Sequence, residues 1–407
     1  MNNAGKSNLQ MVRENWEEIE RKVREHHKKQ LKILAIIVGV SVALGITYYI
    51  YVQHKSYDDF RIVSTVDRSD TSATQFTEFN GNLLKYSNDG AACVTTDNQI
   101  IWNQSFEMQD PILAICKQYV AFADKDGKQI YVMNSSGTQG KFSVTMPIQR
   151  IDVSASGTVA VMMEEDGTGY LSLYSKSGEQ LAEGAIHVEN GGTPMDIAIS
   201  QDGEKLAVSS LDIHDGSAKS TVTFYDFGSV GEEKVDHIVA SYAYDDAVIP
   251  ELTYVGSDQL IAFSNQGVYT FTGGNAPKEG PKKQVEDEIK SVFYDDSYFA
   301  LVFAAGKDEA KRKVVVYNMK CEEQTQFITD FPFEKMRFLD NHEICLYSSN
   351  LCSIYTLGGR KKFYYEFEDT FTEVLHLGGY RHYAFIMEGK TQQIRFRLFG
   401  NEKAGSK

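Results

Sequence analysis

Pro194-Met195-Asp196-Ile197-Ala198-Ile199-Ser200-Gln201-Asp202-Gly203-Glu204-Lys205-Leu206-Ala207-Val208-Ser209 contains the plan of this chain in one stretch. A proline opens a short strand, Asp202-Gly203 marks a tight turn, and the apolar run after it reads as a strand buried on both faces. Proline has no N–H to give a ladder, so a sheet tolerates it at the first residue of a strand and rarely further in. The same phase recurs. Pro111 precedes Ile112, Pro147 precedes Ile148, Pro250 precedes Glu251-Leu252 and Pro332 precedes Phe333. Five of the seven prolines obey it, at intervals of 36, 47, 56 and 82 residues, the last being two units of 41. A period of roughly 40–45 residues with four strands per unit is the mark of a β-propeller.

Outward from this stretch, eight units begin near residues 76, 112, 148, 194, 250, 288, 333 and 370, and seven blades is the alternative count. Second strands recur as Tyr119–Ala123, Val159–Met163, Leu260–Phe263 and Phe299–Phe303. Third strands end in tyrosine, with Tyr174, Tyr225, Tyr269 and Tyr355 each followed by a glycine three or four residues on, and Tyr317 at the same phase without one. Asp89-Gly90, Asp126-Gly127 and Asp166-Gly167 repeat the turn signal. The last unit supplies three strands, Phe371–Leu377, His382–Met387 and Ile394–Phe399. Phe60–Val66 is the expected fourth, closing the ring from the opposite terminus and removing an exposed edge.

Ile33 to Val52 is a run of 20 residues without a charge, about 30 Å of helix, which matches a bilayer's hydrocarbon core. Arg21, Lys22, Arg24, Lys28, Lys29 and Lys32 lie before it, and Tyr48, Tyr49 and Tyr51 lie at its far end. The positive-inside rule then places the N-terminus in the cytoplasm and the rest outside, at a cell membrane crossed once. The expected organisation is a cytoplasmic amphipathic helix (1–32), a transmembrane helix (33–52), a linker (53–59), an all-β extracytoplasmic propeller (60–400) and a polar tail (401–407). Within the first helix, Leu9, Val12, Trp16, Ile19 and Val23 follow a 3-4-3-4 spacing. That spacing fits either a pairing helix, and so a homo-oligomer, or a helix lying on the inner leaflet.

Charge and cysteine usage exclude several function classes. Residues 1–55 hold 9 of the 41 basic and 5 of the 56 acidic residues, so the remainder carries 32 and 51, a balance of −19. Such a domain does not hold nucleic acid through its phosphates. The five cysteines form no Cys-x-x-Cys pair, which removes zinc and thioredoxin-type readings. Cys345 and Cys352 face each other if their hairpin turns at Ser348-Ser349, and fall out of register if it turns at Ser349-Asn350. No Gly-x-Ser-x-Gly, His-Glu-x-x-His, Gly-x-Gly-x-x-Gly or Walker pattern occurs. No enzyme, metal or cofactor is expected.

Ile197–Val208 resembles the second-strand signature of TolB-like and WD40-like propellers. The Ile101-Trp102 ending of the first unit resembles quinoprotein-type repeats. The whole plan resembles a domain-of-unknown-function family of uncharacterised single-pass propeller proteins from Firmicutes. The Gly-His and Trp-Asp marks of WD40 repeats and a regular tryptophan are absent, so the resemblance implies architecture and no quinone. The expected role is a protein-interaction or scaffold module of the bacterial envelope with an envelope protein partner. The alternative is a sensor that binds a small envelope ligand and signals through the N-terminal helix. The partner is expected on the face gathering the connections Ala185–Thr193, Leu211–Ser220, Thr272–Glu288 and Gly306–Arg312. The candidate binding loop is Thr272–Glu288, which carries Pro277, Lys278, Pro281, Lys282 and Lys283 in an otherwise acidic domain.

Overall fold

The structure, a computed structural model, describes residues 4–71, 73–186, 192–306, 308–331 and 333–398. Pro332 and the 401–407 tail lie outside the described residues. The chain divides into two compact units, Met1–Ser56 and Tyr57–Lys407. The first contains one unbroken helix, α1 (Ala4–His54). Within it lies one stretch long and apolar enough to cross a membrane. The second contains eight four-stranded antiparallel sheets, the blades of a propeller. The count is eight, not seven.

The strand of each blade nearest the axis is Gln75–Phe79, Pro111–Cys116, Ile148–Val153, Thr193–Ile199, Glu251–Val255, Ser291–Tyr294, Lys335–Phe338 and Phe371–His376, for blades 1 to 8 in turn. Strands are lettered A to D from the axis outward. The B strands are fully buried where the sequence is most apolar, as at Val120, Ala121, Phe122 and Ala123. The reason is that adjacent blades pack face to face, so a B strand has apolar neighbours on both sides. The recurrent C-strand tyrosines lie in these interfaces. Tyr174 meets Phe142 at 5.2 Å between ring centroids and Tyr355 stacks on Phe327 at 4.1 Å. Gly178, after Tyr174, has φ +90°, and a Cβ there would stand 2.6 Å from Phe142, so both conformation and space demand glycine.

Blade 8 has three strands of its own, and its D strand is Phe60–Asp67, antiparallel to Lys390–Phe396. The expected closure holds, with the partner strand beginning earlier than the 394–399 read from sequence. The segment read as a linker, 53–59, is shorter than that. α1 runs to His54, and Tyr57 is already buried in the propeller, its N–H donating to Lys362 O at 2.7 Å. The largest buried apolar cluster sits at this seam between blades 7 and 8. Phe363 stacks on Phe396 at 4.1 Å, and Phe60 stacks on Phe367 at 5.5 Å.

Truncating Phe363 removes a fully buried ring at the closure. Phe363→Ala is expected to cost about 3–5 kcal/mol, whereas Ile62→Ala, on the exposed side of the closing strand, should stay within about 0.5 kcal/mol. Denaturant unfolding of the detergent-solubilised chain compares them, and equal costs would show that the seam is not a stabilising core. Deleting residues 57–67 exposes the edge of Lys390–Phe396. Size-exclusion chromatography should then show aggregation, and a monodisperse product would contradict the closure.

Candidate functional site

The residues singled out from sequence do not form a loop. Lys278–Gln284 is the D strand of blade 5, paired with Gly267–Thr272. Pro277 is buried, while Lys278, Pro281 and Lys282 are exposed on the outer rim. An outermost strand turns one row of N–H groups to solvent, so proline costs no ladder bond there, and edge lysines and prolines deter pairing with another sheet. The prolines that looked like a loop signal belong to a protected edge. The strand is also fastened on both sides. Tyr242 OH of blade 4 donates to Pro277 O at 2.8 Å and Tyr244 OH to Glu279 Oε1 at 2.6 Å. On the other side Lys283 Nζ lies 5.3 Å from the Tyr317 ring centroid.

Two more of the expected connections are strands. Leu211–Ser220 is the end of a hairpin of Lys205–His214 and Ser217–Asp226, paired without a break down to His214↔Ser217. Its turn has Asp215 at φ 49° and Gly216 at φ 83°, the two positive values that a two-residue hairpin turn requires. Gly306–Arg312 runs into the strand Asp308–Asn318. Of Ala185–Thr193, residues 187–191 lie outside the described residues. Gly228–Asp236, a connection on the opposite face, holds two short 3-10 turns, Gly231–Glu233 and Val235–His237.

Other polar side chains have local roles. Asp124 Oδ1 accepts the N–H groups of Gln109 and Asp110 at 2.8 and 3.0 Å, tying one blade connection to the next B strand. His376 Nδ1 meets Asp340 Oδ1 at 2.7 Å and its Nε2 meets Gly379 O at 2.6 Å. Among the described residues no three His, Cys, Asp or Glu side chains converge as metal ligands. The hairpin pairs Tyr347 with Cys352 and Cys345 with Ile354, so the two cysteines are diagonal. Both are buried free thiols with sulfurs 3.7 Å apart.

Sequence reading missed the central channel, whose lining comes from the A strands of separate blades. A cavity of about 520 Å³ is lined there by Arg150, Asp152, Asp196, Glu251 and Tyr294, among others. Asp152 Oδ2 accepts the N–H of Ile199, in the next blade, at 2.8 Å, and Asp196 Oδ2 accepts that of Leu252, again one blade on, at 2.8 Å. Tyr294 OH donates to Glu251 Oε1 at 2.8 Å. Each bond joins neighbouring blades. At the A–B turns, Lys117 Nζ meets Asp296 Oδ2 at 2.9 Å. These residues belong to blades 2 and 6, opposite each other in a ring of eight, so the pair reaches across the channel. On the closure side, Arg337 of blade 7 pairs with Glu373 of blade 8 at 2.7 Å and with Glu78 of blade 1 at 2.8 Å. The only sequence signal was a carboxylate within the first strand of several units.

Burial pushes the Asp152 carboxyl up to about 6 and the Asp196 carboxyl up to about 7, against the lowering effect of the N–H bonds they accept. An unperturbed aspartate titrates near ~3.9. Between about pH 4 and pH 7 the folded protein therefore holds protons that the unfolded chain has released, and stability falls as pH rises through that window. Asp196→Asn keeps an oxygen for the Leu252 N–H and carries no charge. It should reduce the loss of stability between pH 5 and 8 by on the order of 2 kcal/mol. Unfolding midpoints measured across that range check this, and an unchanged slope would refute it.

The fold has known counterparts. The C-terminal WD40 domain of Sif2 superposes with a TM-score of 0.55 at 12% identity, over 84% of this chain and 100% of that one. A eukaryotic initiation factor superposes with a TM-score of 0.51 at 13% identity, over 82% and 84%. BamB from Moraxella catarrhalis is matched with a TM-score of 0.49 at 12% identity, over 83% and 100%. At such identities the first two likenesses show the propeller fold alone. No curated protein matches the sequence. Residues 53–396, the propeller and the few residues before it, match one family throughout, and the chain belongs to it: DUF5711, a family of unknown function.

Proposed function

We propose that this protein is a membrane-anchored, extracytoplasmic propeller that serves the bacterial envelope as a non-enzymatic interaction scaffold. The observation that carries the reading is the shortness of the tether. Only Lys55 and Ser56 separate the end of α1 from Tyr57, the first residue bound into the ring. Counted from the end of the apolar run at Val52, four residues precede Tyr57, a tether too short to let the propeller stray far from a membrane. The basic residues clustered just before the span support an N-in, C-out arrangement. Phe60 enters blade 8 at the end of the sheets where the A–B turns lie, since it pairs with Phe396 beside Arg381 and His382. The opposite end carries the B–C hairpins and the D–A connections, with the long blade 4 hairpin and the exposed Ile213 near its tip. We assign partner binding to that end, because projecting elements on a rigid scaffold are where recognition concentrates.

The second reading, a sensor of a small envelope ligand, draws support from the channel. A volume of about 520 Å³ lined by carboxylates, Arg150 and Tyr294 lies in the range of small-molecule sites.

A reporter that is active only outside the membrane, fused after Lys407, should work, and a cytoplasm-only reporter at that position should be silent. The reverse pattern ends the extracytoplasmic reading. Mild cross-linking and co-purification should capture a fixed envelope protein. Shortening the blade 4 hairpin by removing residues 212–219 and joining Leu211 to Ser220 through a two-residue turn should release that protein while the unfolding midpoint holds. If the same partner is retained, binding lies elsewhere on the ring.

A further inference from the structure

We infer that α1 pairs with α1 of a second copy of this chain, in parallel and in register, along a seam that begins in the cytoplasmic half and continues into the membrane. The inference rests on the anchored reading above. Two arrangements of residues 1–32 suit their spacing equally well in sequence, a pairing helix and a helix lying flat on the inner leaflet. Lying flat requires a sharp bend before the apolar span. α1 has none: it is one helix of 51 residues, roughly 77 Å long. From Lys6 to Val38 it contains neither proline nor glycine, the residues at which helices most often kink. The cytoplasmic half therefore continues the axis of the span and stands away from the bilayer.

Standing there, it shows apolar side chains along one line. Trp16, Ile19 and Val23 are 64%, 50% and 48% exposed and follow the 3-4 spacing of a heptad seam. Charges beside the seam are satisfied within the helix, Lys22 with Glu18 and Arg24 with Glu20, both at 2.8 Å. They support the helix itself, while the apolar side chains of the seam stay exposed. The same spacing runs on through His26 and Gln30, and then Ile33, Ile37 and Val40 inside the apolar run. A strict seven-residue repeat gives two such helices a left-handed supercoil that keeps one face inward. Polar residues at isolated seam positions set register and strand number at some cost in stability.

A second copy is the occupant that the topology favours. A membrane threads every copy in the same direction and at the same depth, so Trp16 of one chain meets Trp16 of another without any search for register. Confinement to a plane also raises the effective concentration. In proteins most helical stability comes from packing an apolar face, which a second copy supplies here.

Single cysteines in the full-length chain test the seam, since the first native cysteine is Cys93. Two differently tagged copies are co-expressed and their membranes oxidised with copper phenanthroline. Trp16→Cys, Ile19→Cys and Val23→Cys should give doubly tagged covalent dimers at least about five-fold above Glu18→Cys, Arg21→Cys and Glu25→Cys. These last three face away from the seam at the same height. The chain without an added cysteine supplies the background. Equal cross-linking at all six positions, dimers strongest on the outward face, or products lacking the second tag overturn the inference. Carbonate extraction separates the two readings. A chain released from the membrane ends the anchoring reading and this one with it. A retained chain without the seam pattern ends this one alone.

Discussion

Everything in the propeller depends on how a ring made from a linear chain is shut. Seven blades are complete in sequence order, and the eighth borrows Phe60–Asp67 from the far end of the domain. Without that strand Lys390–Phe396 would present an open edge, the feature that sheet proteins must cover or blunt. The borrowed strand brings Tyr57 and Phe60 into the seam between blades 7 and 8, and the largest aromatic cluster of the molecule forms around them. At the same place Lys362 is completely buried. Its ammonium bonds Glu343 and the Tyr383 hydroxyl and lies 3.6 Å from the centroid of the Tyr380 ring. Burial lowers its pKa to about 8 even though Glu343 opposes that shift. A buried pair of this kind adds little when intact but strands a charge if one partner leaves. Both charges belong to blade 7, and the Tyr383 hydroxyl of blade 8, which bonds each of them, is the tie across the seam. The backbone oxygen of the same lysine accepts the Tyr57 N–H, so the start of the propeller and its closure are one structural event.

The channel is built on the opposite principle. Blade faces are apolar and interchangeable, whereas the A strands are joined by bonds that run from one blade's carboxylate to the next blade's amide. Asp152 to Ile199 and Asp196 to Leu252 are two such links. Each satisfies an acceptor that burial would otherwise leave costly, and each sets the angle of one blade against the next. Arg337 does the same across three blades at the seam, bonding both Glu373 and Glu78. The polar lining is thus part of what holds the ring, as well as the surface that any small molecule in the channel would meet.

The outer rim illustrates how the same residue types change meaning with position. Pro277, Pro281 and three lysines within seven residues read as a basic binding loop. In the ring they form an outer strand pinned by Tyr242 and Tyr244 on one side and facing Tyr317 on the other. Proline is excluded from the middle of a sheet but not from its last strand, and only the completed fold says which strand is last. The long hairpin of blade 4 was misread for a related reason. Its tip is polar, with Asp212, His214 and Asp215, and polarity at a tip does not tell a loop from strands that continue into solvent.

The blade count, the eight starting points and the borrowed closing strand were legible because each rests on a local and periodic rule. Proline stands at the start of a strand, a doubly buried strand is apolar throughout, and a three-stranded last unit needs a fourth. The apolar span was legible for the same reason. The continuity of α1 was not, since a 3-4-3-4 spacing is common to a standing and a lying helix. The channel, the Lys362 seam and the fastening of Lys278–Gln284 join residues tens to hundreds of positions apart. Nothing in the local sequence of Arg337 announces Glu78, 259 positions away. Local periodicity determines which strands form and in what order. Which carboxylate meets which amide, and which strand becomes an edge, is decided only when the ring closes, because closure is what brings the first blade beside the last.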